Sequence, residues 1–465
     1  MDLSLTQFLI IVITIALVIG GGIYAAHSVK SAEGYSLGGR AAGVPLVAGS
    51  IAGTCVGGGA TVGTAQLAST IGLSAWWFTI GTGLSLILMG LFYARPLRRT
   101  SLETISQYLV LNYGKASGTF TSVVSSTGIL FSTVASCLPG IQILMVVLGI
   151  SDWAAAGILL LLVASYSFFG GMKSAGVGGI LKMIIIWVSL FIAGSSAIYA
   201  IHTQPELTAA LPDHPWFSLF GNGVSNALTN LFSLIVGMLC TQSYIQAIFS
   251  ASNPRTASIG AFMAALITIP VGLPCAMIGM YMHAAHPEVS PILVLPTYLL
   301  EYQPTLIGAV AMGGIVLSLI GSIAGLSLGI GTMLSRDILT KAFHVTKPQS
   351  QLQLTRAVVL GVIFLSSIIA ILNEDSQVLF WTYLSMALRG GGIFLPLTLA
   401  IFRPHAVSGH WAITSMVVST LTAIAAAILY PPVNPLFIGL VLSCLLLLPG
   451  YLQNKAHPYA EHSLH

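Results

Sequence analysis

Between residues 7 and 452 the chain is a succession of apolar runs, each about as long as a bilayer is thick, joined by short polar segments. A hydrocarbon core about 30 Å thick requires roughly 20 predominantly apolar residues per helix. Inside it every backbone N–H and C=O must find a partner, which leaves helices or a closed barrel. The alternating ten-residue strands of a barrel are absent, so the sequence predicts an all-α polytopic membrane protein. Charged residues make up only 6% of the 465 positions, against about 25% in a soluble domain.

The pattern predicts thirteen transmembrane spans, at about 7–27, 43–72, 74–94, 116–148, 152–170, 179–202, 227–250, 257–283, 305–335, 354–373, 376–402, 408–430 and 434–452. No soluble domain fits between them. The first span follows no basic stretch, so it is expected to be a retained helix and not a cleaved leader. With the N-terminus outside and the tail cytoplasmic, 15 of the 16 basic residues, Lys30, Lys182 and Lys455 among them, fall at cytoplasmic ends, as the positive-inside rule requires. The expected location is the plasma (inner) membrane. The net charge of +4 then reports topology, not nucleic-acid binding.

The remaining basic residue, Arg389, sits in the middle of the eleventh span. None of the Asp and Glu residues lies deep in a span, and the histidines sit at span ends or in the tail. Membrane proton relays run on embedded carboxylates or histidines, so a carboxylate-based proton pump is not supported. Cys55, Cys137, Cys240, Cys275 and Cys444 form no CxxC pair and are read as small apolar residues, not as a zinc site or a disulfide framework.

One span contradicts its own requirement. AGTCVGGGATVG (52–63) places glycine where a helix is needed, at about 1 kcal/mol per residue relative to alanine. Small residues let membrane helices pack closely, but Gly57, Gly58 and Gly59 run round the whole helix instead of lining one face. The other reading is an unwound break whose carbonyls line a cavity and bind an ion or solute, as in transporters built on broken helices. The ninth span offers a partner, with Ser318, Gly321 and Ser322 on one face by their i, i+3, i+4 spacing. A hard cation such as sodium needs several oxygens. The carbonyls of Gly53, Val56 and Ser318 with the Ser322 hydroxyl can supply them, or these residues simply pack against a neighbour. GLSLG (325–329) lacks the strand–turn–helix setting and the His and acid partners of a nucleophile elbow. The chain is not read as an enzyme.

At these residues the sequence resembles the solute:sodium symporter family, whose members carry proline, pantothenate, sugars and sialic acid with sodium. The resemblance covers about residues 1–455. It rests on EGYSLGGR (33–40), RTSLETISQYLVLNYGK (99–115), YSFFGGMKSAG (166–176), QSYIQAIFSASNPRTA (242–257) and MLSRDILTKAF (333–343), in the family's order. It implies a LeuT-type fold of two inverted five-helix repeats, at 43–202 and 227–402. An extra helix and loop (1–42) would precede them, an external loop (203–226) would separate them, and two helices with a tail (403–465) would follow. It places the sodium site on Gly53, Val56, Ser318, Gly321 and Ser322. Where the family commonly has a hydroxyl residue the chain has Gly321, and where it often has acidic residues the chain has Cys55 and Gly179.

The implied function is sodium-coupled symport of a small organic solute (an amino acid, organic acid or sugar-like molecule) across the lipid bilayer by alternating access. Candidate solute contacts are Thr54, Thr61, Gln66, Trp77, Phe78, Asn230 and Arg389. Arg389 either clasps a solute carboxylate by two parallel hydrogen bonds, or ties down backbone carbonyls near an expected kink at Gly390–Gly392, or lines a water-filled cytoplasmic vestibule. A proton-coupled or uncoupled permease of the same fold, and a channel or sensor relative, are the alternatives.

Overall fold

The computed structural model describes residues 3–25, 31–168, 170–429 and 434–456. The expected end of the first span at 26–27, Lys30 and the tail beyond 456 lie outside the described residues. The fold is all-α, and the only bridge between extended segments among the described residues pairs Ala42 with Ala251. The principal helices are α1 (Leu5–Ala25), α2 (Val44–Cys55), α3 (Thr64–Ile71), α4 (Trp77–Leu88), α5 (Lys115–Leu148), α6 (Asp152–Ser167), α7 (Gly171–Thr203) and α8 (Val224–Leu239). After them come α9 (Gln242–Ser250), α10 (Pro254–Thr268), α11 (Gly272–Ala285), α12 (Thr305–Met333), α13 (Pro348–Ile371), α14 (Val378–Phe402), α15 (Gly409–Leu429) and α16 (Pro435–Ala456).

Ten helical stretches among the described residues are long and apolar enough to cross a membrane, or eleven with α8 and α9 counted as one bent span. The expected count of thirteen is not reached by this measure, for two local reasons. The 43–72 segment is split into the 12-residue α2 and the 8-residue α3. The 152–170 segment forms α6, only 16 residues long.

The span expected at 227–250 is also split. α8 and α9 meet at a 49° bend around Cys240 and Thr241, with no glycine or proline at the break. The chain entering α2 is stitched to the chain leaving α9. The Ala42 N–H donates to the Ser250 carbonyl at 3.1 Å and the Ser252 N–H to the Ala42 carbonyl at 2.9 Å.

α12 is the axial helix, packed against α1, α5, α7 and α13 and buried along almost its whole length. α2 lies against α7 through glycine on glycine. A Cβ on Gly53 would stand 2.8 Å from the Gly179 Cα, and a Cβ on Gly176 would strike Leu46. Close backbone approach of this kind is what small residues provide in membrane helices, and here it brings the side chains of α7 onto the end of α2.

One end of the bundle is sealed by polar contacts. Arg336, just beyond α12, donates to both carboxylate oxygens of Glu103 at 2.9 and 3.0 Å and to Gln351 at 2.7 Å. Asp337 accepts from Thr104, Gln107 and Ser122 at 2.9–3.0 Å. At the opposite end, beyond α3 and α13, Gln66, Thr70, Gln142, Glu374 and Asp375 line a polar cavity of about 450 Å³.

Candidate functional site

α2 ends at Cys55, and Val56 leaves the helical region at φ −83°, ψ 80°. The chain turns through Gly57 and Gly58, resumes as a wide π-turn over Gly59–Gly63, and continues into α3. None of the three adjacent glycines has a positive φ. Glycine is required here for close approach. A Cβ on Gly57 would collide with the Ser322 side chain, one on Gly58 would meet the Ser136 Cα at 3.0 Å, and one on Gly59 the Phe78 ring at 2.8 Å. The freed Gly58 N–H donates to Ser136 Oγ at 3.3 Å.

A helix end leaves its last carbonyls without intrahelical partners and carries partial negative charge. The residues expected to serve that end do converge on it. Ser318 Oγ donates to the Val56 carbonyl at 2.6 Å, and Ser322 Oγ to the Thr54 carbonyl at 2.6 Å.

The Gly53, Val56 and Ser318 carbonyls also meet at one point, as the sequence spacing suggested, but that point is the Lys182 ammonium. Lys182 Nζ lies 2.5 Å from the Gly53 carbonyl, 3.0 Å from Val56 and 3.2 Å from Ser318. Lys182 was counted among the cytoplasmic basic residues. In the structure it is the twelfth residue of the 33-residue α7 and is fully buried inside the bundle. The signal was present in the sequence, since Gly176, Gly179 and Lys182 recur every third residue on one helix face. Sodium, the ion implied by the resemblance, does not fit these carbonyls while Lys182 holds them. Gly321 contributes no ligand, and a Cβ there would stand 3.0 Å from Lys182 Nζ.

Beside the break is a central cavity of about 30 Å³, walled by Thr54, Gly57–Gly59, Phe78, Ser132, Ser136, Met238, Tyr244, Ser322, Thr382 and Met386 among others. That volume holds one or two waters, less than an organic solute needs.

Two of the solute candidates, Thr54 and Phe78, line the cavity, and Phe78 meets Tyr383 edge to face at 6.2 Å. Thr61 is buried and donates back to the Gly57 carbonyl at 2.9 Å. Gln66 lies instead in the polar cavity beyond α3 and α13 and accepts from the Val378 N–H at 3.1 Å. Trp77 is turned outward, its Nε1 donating to the Leu219 carbonyl at 2.8 Å and its ring against Phe220. Asn230 is half-buried in α8, away from the cavity wall.

Arg389 is fully buried behind Met386. It donates to the Gly237 carbonyl at 3.2 Å, to Ser385 Oγ at 2.7 Å and to Met386 Sδ at 3.0 Å. The backbone-tying role is therefore the one its geometry displays, and the carbonyl it ties belongs to α8 just ahead of the second break. α14 runs unbroken through Gly390–Gly392. Ser132, Ser136, Met238, Tyr244, Thr382 and Met386 were not anticipated as cavity residues.

Two breaks at the centre of a multi-helix bundle, with a buried ammonium at one of them and a small cavity between, are the arrangement of a LeuT-type fold. The chain belongs to the sodium:solute symporter family, whose pattern it matches over residues 35–419. It is 25% identical over 359 residues to the human high affinity choline transporter 1, covering 72% of this chain and 62% of that one. It is 24% identical over 371 residues to the Torpedo marmorata protein of the same name, covering 74% and 64%. The chain thus spans about three fifths of the length of the curated relatives it matches. The fold superposes on a substrate-bound, outward-open Na⁺-coupled sialic acid symporter with a TM-score of 0.80 at 17% identity, covering 97% of this chain and 98% of that one. A closed nucleobase-cation-symport-1 family transporter gives 0.58 at 13% identity, covering 91% and 96%.

Proposed function

We propose that the chain is a secondary carrier that moves a small organic solute across the bilayer by alternating access, holding it in the central cavity beside the α2–α3 break. The observation that carries this reading is the break itself: freed backbone groups at the middle of the bundle, facing a small cavity, with an end tied by polar contacts on one side and a polar cavity on the other. The two broken segments, α2–α3 and α8–α9, each open one of the expected inverted repeats (43–202 and 227–402). The distribution of basic residues supports an external N-terminus and a cytoplasmic C-terminus.

The family's name supports sodium as coupling ion. In this chain a sodium ion on the Gly53, Val56 and Ser318 carbonyls and the Lys182 ammonium exclude one another, so sodium coupling through these oxygens requires the lysine to withdraw. The cavity wall carries aromatic and thioether groups (Phe78, Tyr244, Met238, Met386) and no carboxylate. Aromatic faces hold quaternary ammonium groups, and together with the named relatives this puts choline first among solutes to try.

The test is uptake by the purified protein in proteoliposomes, with choline, amino acids, organic acids and sugars each presented under an imposed ion gradient. Saturable accumulation of one of them above its external concentration is the expected result. Saturable flux that stops at equilibration identifies an uncoupled permease, non-saturable flux a channel, and no flux of any solute a non-transporting relative.

A further inference from the structure

We propose that Lys182 is a tethered cation that takes the coupling-ion position at the α2–α3 break, so that this site neither binds nor requires sodium. The inference rests on the carrier reading only for its consequence in transport; the occupancy of the site stands on its own geometry.

The end of α2 creates a local demand for positive charge. Its Gly53 and Val56 carbonyls point past the break with no helical N–H to meet them, at the negative end of the helix dipole. A bound ion is one way to meet that demand. An ammonium has three N–H donors, and Lys182 Nζ finds three acceptors, the carbonyls of Gly53, Val56 and Ser318 at 2.5, 3.0 and 3.2 Å. Donors and acceptors match in number.

The surroundings are cut to the lysine. Gly53 and Gly179 bring α2 and α7 together at backbone distance, which sets how far the side chain reaches. Gly321 leaves the ammonium its space, since a Cβ there would stand 3.0 Å from Nζ and 3.3 Å from the Gly53 carbonyl. A free cation on the same oxygens would lie within about 4 Å of the ammonium, where like charges away from bulk water repel strongly. The ammonium also differs from a bound ion in one functional respect. It is carried by α7 and does not leave with the solute, so the site contributes no sodium to the transported charge.

The experiment uses the purified full chain, with sodium itself as the probe. Thermal unfolding is followed in NaCl, KCl and N-methyl-D-glucamine chloride at equal ionic strength, because a ligand bound only by the native state raises the melting temperature in a concentration-dependent way. The wild type is expected to give superimposable curves in the three salts, and solute uptake that falls less than about twofold when sodium is replaced, well under the tenfold that corresponds to 1.4 kcal/mol. Lys182→Ala is expected to acquire a saturable, sodium-specific stabilisation. Lys182→Met, which keeps the stem, serves if the alanine variant does not fold. Saturable stabilisation of the wild type by sodium overturns the proposal whatever the variants do. Absence of uptake in every salt defeats the carrier reading instead, while the unfolding curves still decide what occupies the site.

Discussion

Replacing Gly58 with alanine sets two effects at the break against each other. Its backbone sits at φ −52°, ψ −45°, so alanine is conformationally allowed and, by helix propensity alone, better by about 1 kcal/mol. Space opposes it. The new Cβ would stand 3.0 Å from the Ser136 Cα and closer still to the Ala135 carbonyl oxygen. These are backbone atoms of α5 and cannot swing aside as a flexible side chain does. Reaching an ordinary contact of about 3.5–4.0 Å requires the segment to back away from α5 by roughly half an ångström or more. Overpacking of that kind costs about 1–3 kcal/mol, for a net loss of about 0–2 kcal/mol. The same movement stretches the 3.3 Å bond from the Gly58 N–H to Ser136 Oγ and shifts the cavity wall. Gly361 in α13 is the internal control, because a Cβ there meets nothing within 4 Å and Gly361→Ala gains up to about 1 kcal/mol. In melting curves of the purified variants, Gly58→Ala should fall below wild type or match it, and Gly361→Ala should equal or exceed it. Uptake should be impaired only in the former. A Gly58→Ala protein as stable as Gly361→Ala and fully active would refute the claim that glycine serves close approach at this position.

Arg336→Ala removes the two bonds to Glu103 and the one to Gln351 that seal one end of the bundle. At about 1.5–3 kcal/mol for hydrogen bonds to charged groups, a cysteine placed at Thr382 should react at least about tenfold faster with a reagent applied from that end; an unchanged rate would mean that the seal lies elsewhere. Arg389→Lys keeps the charge but loses the planar fork that reaches Gly237, Ser385 and Met386 together. A loss of about 1–2 kcal/mol should appear as a lower melting temperature, and a variant indistinguishable from wild type would show that the guanidinium does not hold α8. Single cysteines at Ala210 and Val345 should be labelled by an impermeant reagent in intact cells at the first position only. Labelling at 345 would invert the topology.

The first break was legible because three adjacent glycines cannot all serve one packing face, and the meeting of Gly53, Val56, Ser318 and Ser322 followed from helical spacing. The reason for the glycines was not legible: it is contact with α5, α12 and Phe78, which no local pattern encodes. The second break was hidden for the opposite reason. Cys240 and Thr241 carry no helix-breaking signal, and the end of α8 is held from outside by Arg389. Trp77 and Phe78 were both placed at the solute, yet neighbours on a helix point about 100° apart, and only Phe78 faces inward. Lys182 was misplaced because a lysine four residues into an apolar run usually snorkels to the interface. The glycine face of α7 carries it the other way, onto α2.

The stitch between Ala42 and Ser250–Ser252 has a mechanical consequence. It makes α2 and α9 a single lever, because separating them would break two backbone hydrogen bonds. The two half-helices share one degree of freedom, and the joints that allow it are the gaps at Val56–Gly58 and Cys240–Thr241. A swing about those joints carries the Gly53 and Val56 carbonyls and Tyr244 in one stroke, relative to Ser318 on α12 and Met238 on α8, so the cation position and the solute cavity change together.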